Sequence, residues 1–221
     1  MTPAPERELV SIDGLDGSGK SQFARALATA SEAEGGAPVF VFRVDDFRRP
    51  LGPLRPDADE AAAYYNGYYD FACLDGCLRR FLAGAPDARI PLFDTAREIL
   101  DGEQVLSFDG ARIALCEGVF VLRAPAAAAA AVILLEVAED EARRRVLARD
   151  VARGRAREVV EHRMNHRYFP AQRAYRAAFD PLRRADVVID NGLPERPRVV
   201  RHAAGRLPRV VEKALYGVVR S

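Results

Sequence analysis

Gly14-Leu15-Asp16-Gly17-Ser18-Gly19-Lys20-Ser21 matches the pattern G-x-x-x-x-G-K-[ST] at every fixed position. The chemistry asks for these residue types. Glycines let the backbone turn through conformations that a side chain forbids, so successive N–H groups can point at phosphate oxygens. Lys20 reaches the β- and γ-phosphates as a point charge, and the Ser21 hydroxyl is a ligand for Mg²⁺. A helix beginning there adds its positive N-terminal end. The expected cradle is Gly14, Asp16, Gly17, Ser18, Gly19, Lys20 and Ser21.

Two further places carry acids where this chemistry could use them. Asp45 and Asp46 follow the apolar run Pro38 to Phe42, and Glu117 follows Ala111 to Cys116. Carboxylates at the C-terminal ends of parallel strands face the ligand crevice. Opposite a phosphate cradle, such an acid normally serves the magnesium shell. Capping of a turn or helix is the other use open to Asp45 and Asp46. Arginines stand at 143, 144, 145, 149, 153, 155 and 157. They are either a solvated basic face or a lid that brings guanidinium groups onto transferring phosphates. Tyr64, Tyr65, Tyr68 and Tyr69 pair at a spacing of four, which suits a helix packed on a core or a surface for a flat ligand. His162 and His166 are also four apart, with no third metal ligand at suitable spacing.

The elements that must position these groups alternate along the chain. Strands are expected at Leu9–Ile12, Pro38–Phe42, Ala111–Cys116, Val132–Val137 and Ala185–Asn191. Helices are expected at Ser21–Glu34, Asp59–Ala83 with a break at Asn66-Gly67, Ala124–Ala131, Glu139–Asp150, Arg157–Phe179 and Pro208–Val219. Residues 1–7 read as loose and Arg48–Asp59 as a proline-rich loop. Arg89–Asp94 reads as an edge strand because of Pro91. Turns are expected at Asp101-Gly102 and Phe108-Asp109-Gly110. Such alternation forms right-handed parallel crossovers, so an α/β fold with helices on both faces follows.

A chain of 221 residues suits one domain, residues 1–221, with a substrate-binding insertion at about 48–110 and a lid at about 149–160. A formal charge of +1 supplies no global field for nucleic acid or membrane. Lys20 and Lys213 are the two lysines. Three cysteines without C-x-x-C are expected to be free thiols. No leader-like segment stands before the glycine loop, and the run Ala124–Leu135 is too short to span a bilayer, so a cytoplasmic protein is expected.

With these residues in view, the chain resembles the uridine kinase and phosphoribulokinase family from Leu9 to about Pro197. Asp45-Asp46-Phe47 resembles D-[DS]-F-[YF], Pro91–Asp94 resembles P-x-Y-D, and Cys116–Phe120 resembles the E-G-[IV]-[FL] strand end. Arg149-Asp150 with Arg153-Gly154-Arg155 resembles the lid R-D-x-x-x-R-G-R, one residue shorter here, and Ala185–Ile189 resembles the closing A-D-[VI]-[VI]-[IV] strand. The resemblance implies a P-loop NTPase three-layer fold, a five-stranded parallel sheet in the order 2-3-1-4-5 with a small lid, and ATP with Mg²⁺ as cofactors. It implies Asp45, Lys20, Arg149 and Arg153 as catalytic residues, Arg155 on the nucleotide, and Ser21, Asp45 and Glu117 around the metal. Phe93 matches the family's base-stacking aromatic, and Asp46, Tyr69, Asp70, Arg97, Tyr168 and Gln172 are the other expected acceptor-binding residues. The uridine signature D-H-P-x-[AS]-[FL]-D is absent, with Tyr64–Phe71 in its place. The expected activity is transfer of the γ-phosphate to a hydroxyl, with the 5′-hydroxyl of uridine or cytidine first and nicotinamide riboside, pantothenate or a sugar as alternatives. A small-molecule acceptor is the expected partner, and a homo-oligomer is left open. A nucleotide-dependent switch or binding protein is the reading from another class, and the N-K-x-D guanine motif that a GTPase needs is missing.

Overall fold

The computed structural model describes residues 6–52, 55, 58–203 and 205–220. The start of the N-terminus read as loose, and Pro53, Leu54, Pro56 and Asp57 of the proline-rich loop, lie outside these. In chain order, β1 (Glu8–Gly14) leads through the glycine loop into α1 (Lys20–Gly35). β2 (Val39–Arg43), α2 (Glu60–Gly67), α3 (Phe71–Leu82), β3 (Asp87–Asp94), β4 (Ile99–Ser107) and β5 (Ile113–Glu117) follow. The second half holds α4 (Pro125–Ala129), β6 (Ala131–Glu136), α5 (Glu139–Ala152), α6 (Arg157–Arg163), α7 (Phe169–Phe179), α8 (Pro181–Arg184), β7 (Val187–Asp190), β8 (Arg198–His202) and α9 (Arg209–Arg220).

The main sheet runs β2-β5-β1-β6-β7-β8. Its first five members are parallel and are the expected strands in the expected order. β1 lies at the centre, with Ser11 in register with Cys116 on one side and Val132 on the other. Alternation sorts the side chains. Val10, Ile12, Leu115, Ile133 and Ile189 meet Phe23 and Leu27 of α1 and Val211 and Leu215 of α9. Leu9, Ala114, Cys116, Val132, Leu134 and Val188 face the opposite layer, which includes Leu74 and Leu78 of α3 and Tyr175 of α7. A smaller cluster of Leu15, Val137, Val146, Val160, Met164 and Phe169 packs the arginine-rich helices behind the glycine loop. Each such aliphatic side chain contributes about 1.5–3 kcal/mol by leaving water.

Three differences from the sequence reading have local causes. β8 pairs antiparallel with β7 at the sheet edge. Its mostly exposed, arginine-flanked residues carry little period-two signal, and the strand forms because the β7 edge offers unpaired backbone groups. The expected Asp101-Gly102 turn lies inside β4, where Phe93 pairs with Leu100 and Pro91 with Glu103, so β4 carries an extra residue as a bulge. The hairpin reverses instead at 95–98, where Asp94 Oδ1 accepts from the amides of Ala96 and Arg97 at 2.8 and 3.0 Å. Finally, the expected helix over 157–179 contains a π turn, Met164–Tyr168, between α6 and α7. No helix among the described residues is long and apolar enough to cross a membrane.

Candidate active site

The central strand delivers the glycine loop to the C-terminal edge of the sheet, and α1 opens with Lys20. The loop passes under α5 so closely that a Cβ on Gly17 would sit 2.4 Å from the Ala142 carbonyl oxygen, and its φ of 82° is a left-handed value. Glycine is required there on both counts. Lys20 Nζ donates to the Gly14 and Leu15 carbonyls at 3.0 and 2.7 Å. Ser21 Oγ donates to Glu117 Oε1 at 2.8 Å. Burial raises the Glu117 carboxyl, while Lys20 and the Ser21 bond oppose that rise. The Ser18 hydroxyl is buried with no hydrogen-bond partner among the described residues.

After β2, a 3-10 turn at Val44–Phe47 aims two neighbouring acids in different directions. Asp45 lines the cleft with Lys20, Ser21 and Glu117. Val44 packs onto Gly118, where a Cβ would lie 2.4 Å from the Val44 Cβ, so β5 and the turn close up and bring Glu117 beside Asp45. Tyr69 OH donates to Asp45 Oδ1 at 3.1 Å, and Tyr64 OH lies 3.1 Å from Tyr69 OH. The tyrosines therefore serve both expected uses: Tyr64 and Tyr69 are buried against Phe120, yet their hydroxyls end at the cleft.

Arginines close the far side. Arg149 Nη1 donates to Asp16 Oδ1 at 2.9 Å and its Nε to Asp150 Oδ1 at 2.7 Å, and Arg155 Nη1 donates to Asp150 Oδ2 at 2.6 Å. Asp150 is 1% exposed, so its charge is carried between two guanidinium groups. Burial works against ionised Asp16, but the adjacent Arg149 outweighs it and holds the carboxyl below its usual range. Arg153 and Tyr168 line the same cleft.

Phe93 stands in an adjoining chamber with Tyr64, Tyr68, Tyr168, Arg163 and Arg167. The Arg48 guanidinium lies 5.2 Å from the Phe93 ring centroid and lines the main cleft. Four expected acceptor residues are elsewhere. Asp46 pairs with Arg43 at 3.0 Å, turned away by the 3-10 geometry. Asp70 caps α3, its Oδ1 accepting from the Cys73 amide at 2.9 Å, and it also pairs with Arg49. Arg97 pairs with Asp101 at 2.7 Å on the hairpin. Gln172 is buried, and its Oε1 accepts from the Asp16 amide at 2.7 Å. Asp70→Ala is accordingly expected to cost about 1 kcal/mol of stability as a lost helix cap. Its effect on the acceptor KM should stay within about threefold, the range of a residue outside the site. Thermal melts and steady-state kinetics on the same variant decide this, and a tenfold or larger rise in acceptor KM at about constant stability would return Asp70 to the acceptor site.

Sequence reasoning passed over Asp13, whose Oδ2 accepts from Tyr175 OH at 2.6 Å, and Asn191, whose Nδ2 donates to the Ser18 carbonyl at 2.7 Å. An acid inside an apolar strand, one residue before the loop, is the signal that marks Asp13.

Solved structures share this architecture. A candidate uridine kinase from Bacillus stearothermophilus is 23% identical with a TM-score of 0.63, over 85% of this chain and 90% of that one. A candidate fructose transport system kinase from Silicibacter sp. TM1040 is 26% identical with a TM-score of 0.63, over 80% of this chain and 88% of that one. The chain has the fold of the P-loop kinases. No family model matches the sequence, and no curated protein does.

Proposed function

We propose that the chain is an ATP- and Mg²⁺-dependent kinase that moves the γ-phosphoryl group to a hydroxyl of a small acceptor, with the 5′-hydroxyl of a ribonucleoside first. One observation carries the reading: the Asp45 carboxylate opens onto the same cleft as Lys20 and the Ser21–Glu117 pair. The oxygen donors of Ser21, Glu117 and Asp45 suit Mg²⁺, a hard cation that prefers such ligands. The close-packed glycine at 17 fits a phosphate cradle. When bound, the metal neutralises charge developing on the β- and γ-phosphate oxygens.

Asp45 orients the acceptor hydroxyl and takes its proton as the oxygen bonds to the γ-phosphorus and ADP leaves. Phosphoryl transfer draws mainly on such positioning and on electrostatics. Lys20 turns its Nζ from the loop carbonyls to the phosphate oxygens. Arg149, Arg153 and Arg155 belong to a lid over the phosphates that excludes water and adds positive charge. The acceptor lies toward Tyr68, Phe93 and Tyr168, where aromatic faces suit a flat ring.

A sugar acceptor is the second reading. The carboxylate expected to receive a ribose diol, Asp70, is committed to a helix cap. A coupled ADP-release assay over uridine, cytidine, nicotinamide riboside, pantothenate and fructose tests both. Saturable turnover with a nucleoside is expected. Turnover with a sugar and none with a nucleoside selects the second reading, and ATP turnover indifferent to every acceptor rejects the kinase.

A further inference from the structure

The loop that would cradle phosphate is held from behind by a helix outside it. α7 presents Gln172 and Tyr175 three residues apart, on one face. Gln172 Oε1 accepts from the Asp16 amide at 2.7 Å. Tyr175 OH donates to Asp13 Oδ2 at 2.6 Å, and Asp13 Oδ1 accepts from the Gly14 amide at 2.7 Å. Tyr175 is itself fixed, since its oxygen accepts from the Leu122 amide at 3.2 Å. Two loop amides, at 14 and 16, are therefore turned away from the cleft and onto α7 or its intermediary.

Asp13 has no part in the chemistry proposed above, and its position is costly. It is 1% exposed. Burial raises its carboxyl to about 6 against the Tyr175 and Gly14 hydrogen bonds and the charges of Lys20 and Arg176. A buried acid behind a phosphate site also opposes the phosphate's own charge. What it supplies in return is geometric: two fixed hydrogen bonds at the point where β1 becomes loop.

We propose that Tyr175 and Gln172 are positioning residues for the phosphate loop, acting through Asp13 and the Asp16 amide, so that α7 sets the loop's grip on nucleotide. This rests on the nucleotide-binding part of the function proposed above. Fixing the peptide planes at 14 and 16 sets the direction of the loop amides that follow. Support of this kind from outside a site commonly decides whether its donors converge.

The test measures binding of Mg²⁺ and the non-hydrolysable analogue AMP-PNP by titration calorimetry, with stoichiometry reporting the folded fraction. Tyr175→Phe and Gln172→Leu are each expected to weaken binding about tenfold, as buried partners lose their hydrogen bonds. Asp13→Ala should do the same. Asp13→Asn keeps an oxygen for the Gly14 amide but faces the tyrosine with Nδ2 and leaves the Tyr175 proton without its acceptor, so its loss should fall between wild type and Asp13→Ala. Leu106→Ala on β4, in the hairpin that packs through β3 on α3, is the stability control: it should lower the melting temperature without changing affinity. Affinity within about twofold of wild type for both α7 variants would overturn the proposal. So would a loss in Leu106→Ala equal to theirs, or Asp13→Asn failing as fully as Asp13→Ala. If either α7 variant does not fold, the two Asp13 variants decide. A wild-type protein that does not bind AMP-PNP would instead remove the nucleotide-binding reading itself.

Discussion

Lys20→Ala is expected to lower turnover by about 10²–10³-fold or more, the scale seen when one preorganised donor is removed from a developing anion. The ammonium is buried with its Nζ on the Gly14 and Leu15 carbonyls, two contacts made by the loop's own backbone. A phosphate in the cradle would meet a cation already desolvated and aimed, whose interaction is stronger there than in water. Lys213, the other lysine, lies on α9 and does not line the cleft. Steady-state turnover and AMP-PNP affinity are the measurements, with a circular dichroism melt to confirm folding. Activity within about threefold of wild type would remove the cradle from the mechanism.

Asp45→Asn is expected to lower kcat by about 10²-fold or more while leaving nucleotide affinity in place, since loss of a positioned acid or base commonly costs this much. The amide retains an oxygen for the Tyr69 hydroxyl, so the side chain keeps its place and loses its charge. The neighbouring acid provides the internal comparison. Asp46 is paired with Arg43 on the outer side of the turn, and Asp46→Asn should stay within about threefold in kcat. If Asp46→Asn is the more damaging change, the assignment of the base is one residue off.

That pair shows where sequence reading stops. Asp45 and Asp46 are the same residue type at the same strand end, and both were expected in the site. A single 3-10 turn separates them, because successive side chains in it point about a third of a turn apart. The parallel strands were legible because Val10, Ile12, Leu115, Ile133 and their neighbours form apolar runs, interrupted in β1 by Ser11 and Asp13, as strands covered on both faces do. The glycine loop was legible because its spacing is dictated by phosphate geometry. Asp70 and Gln172 show another limit. Each is a polar residue near the expected helices, and in the structure one oxygen of each accepts from a backbone amide. Backbone amides are everywhere, so composition and spacing do not reveal which of them a side chain will take. β8 escaped notice because its strand character belongs to β7's open edge rather than to its own residues.

The π turn at Met164–Tyr168 acts as a phase shift. An α-helix advances each residue by 100°, and one extra residue in a turn offsets everything downstream by about that angle. Upstream of the offset lies Arg163, which lines the chamber beside the cleft; at its end lies Tyr168, which lines both. Downstream lie Gln172 and Tyr175, which face the sheet and the loop. An uninterrupted helix could satisfy one of these two audiences but would rotate the other set out of reach. Excising a single residue from 164–168 should therefore preserve helix content while rotating Phe169, Ala171 and Tyr175 out of the core they now fill, a loss that a thermal melt would read. The chain thus uses one miswound turn to let a single rod read two directions at once.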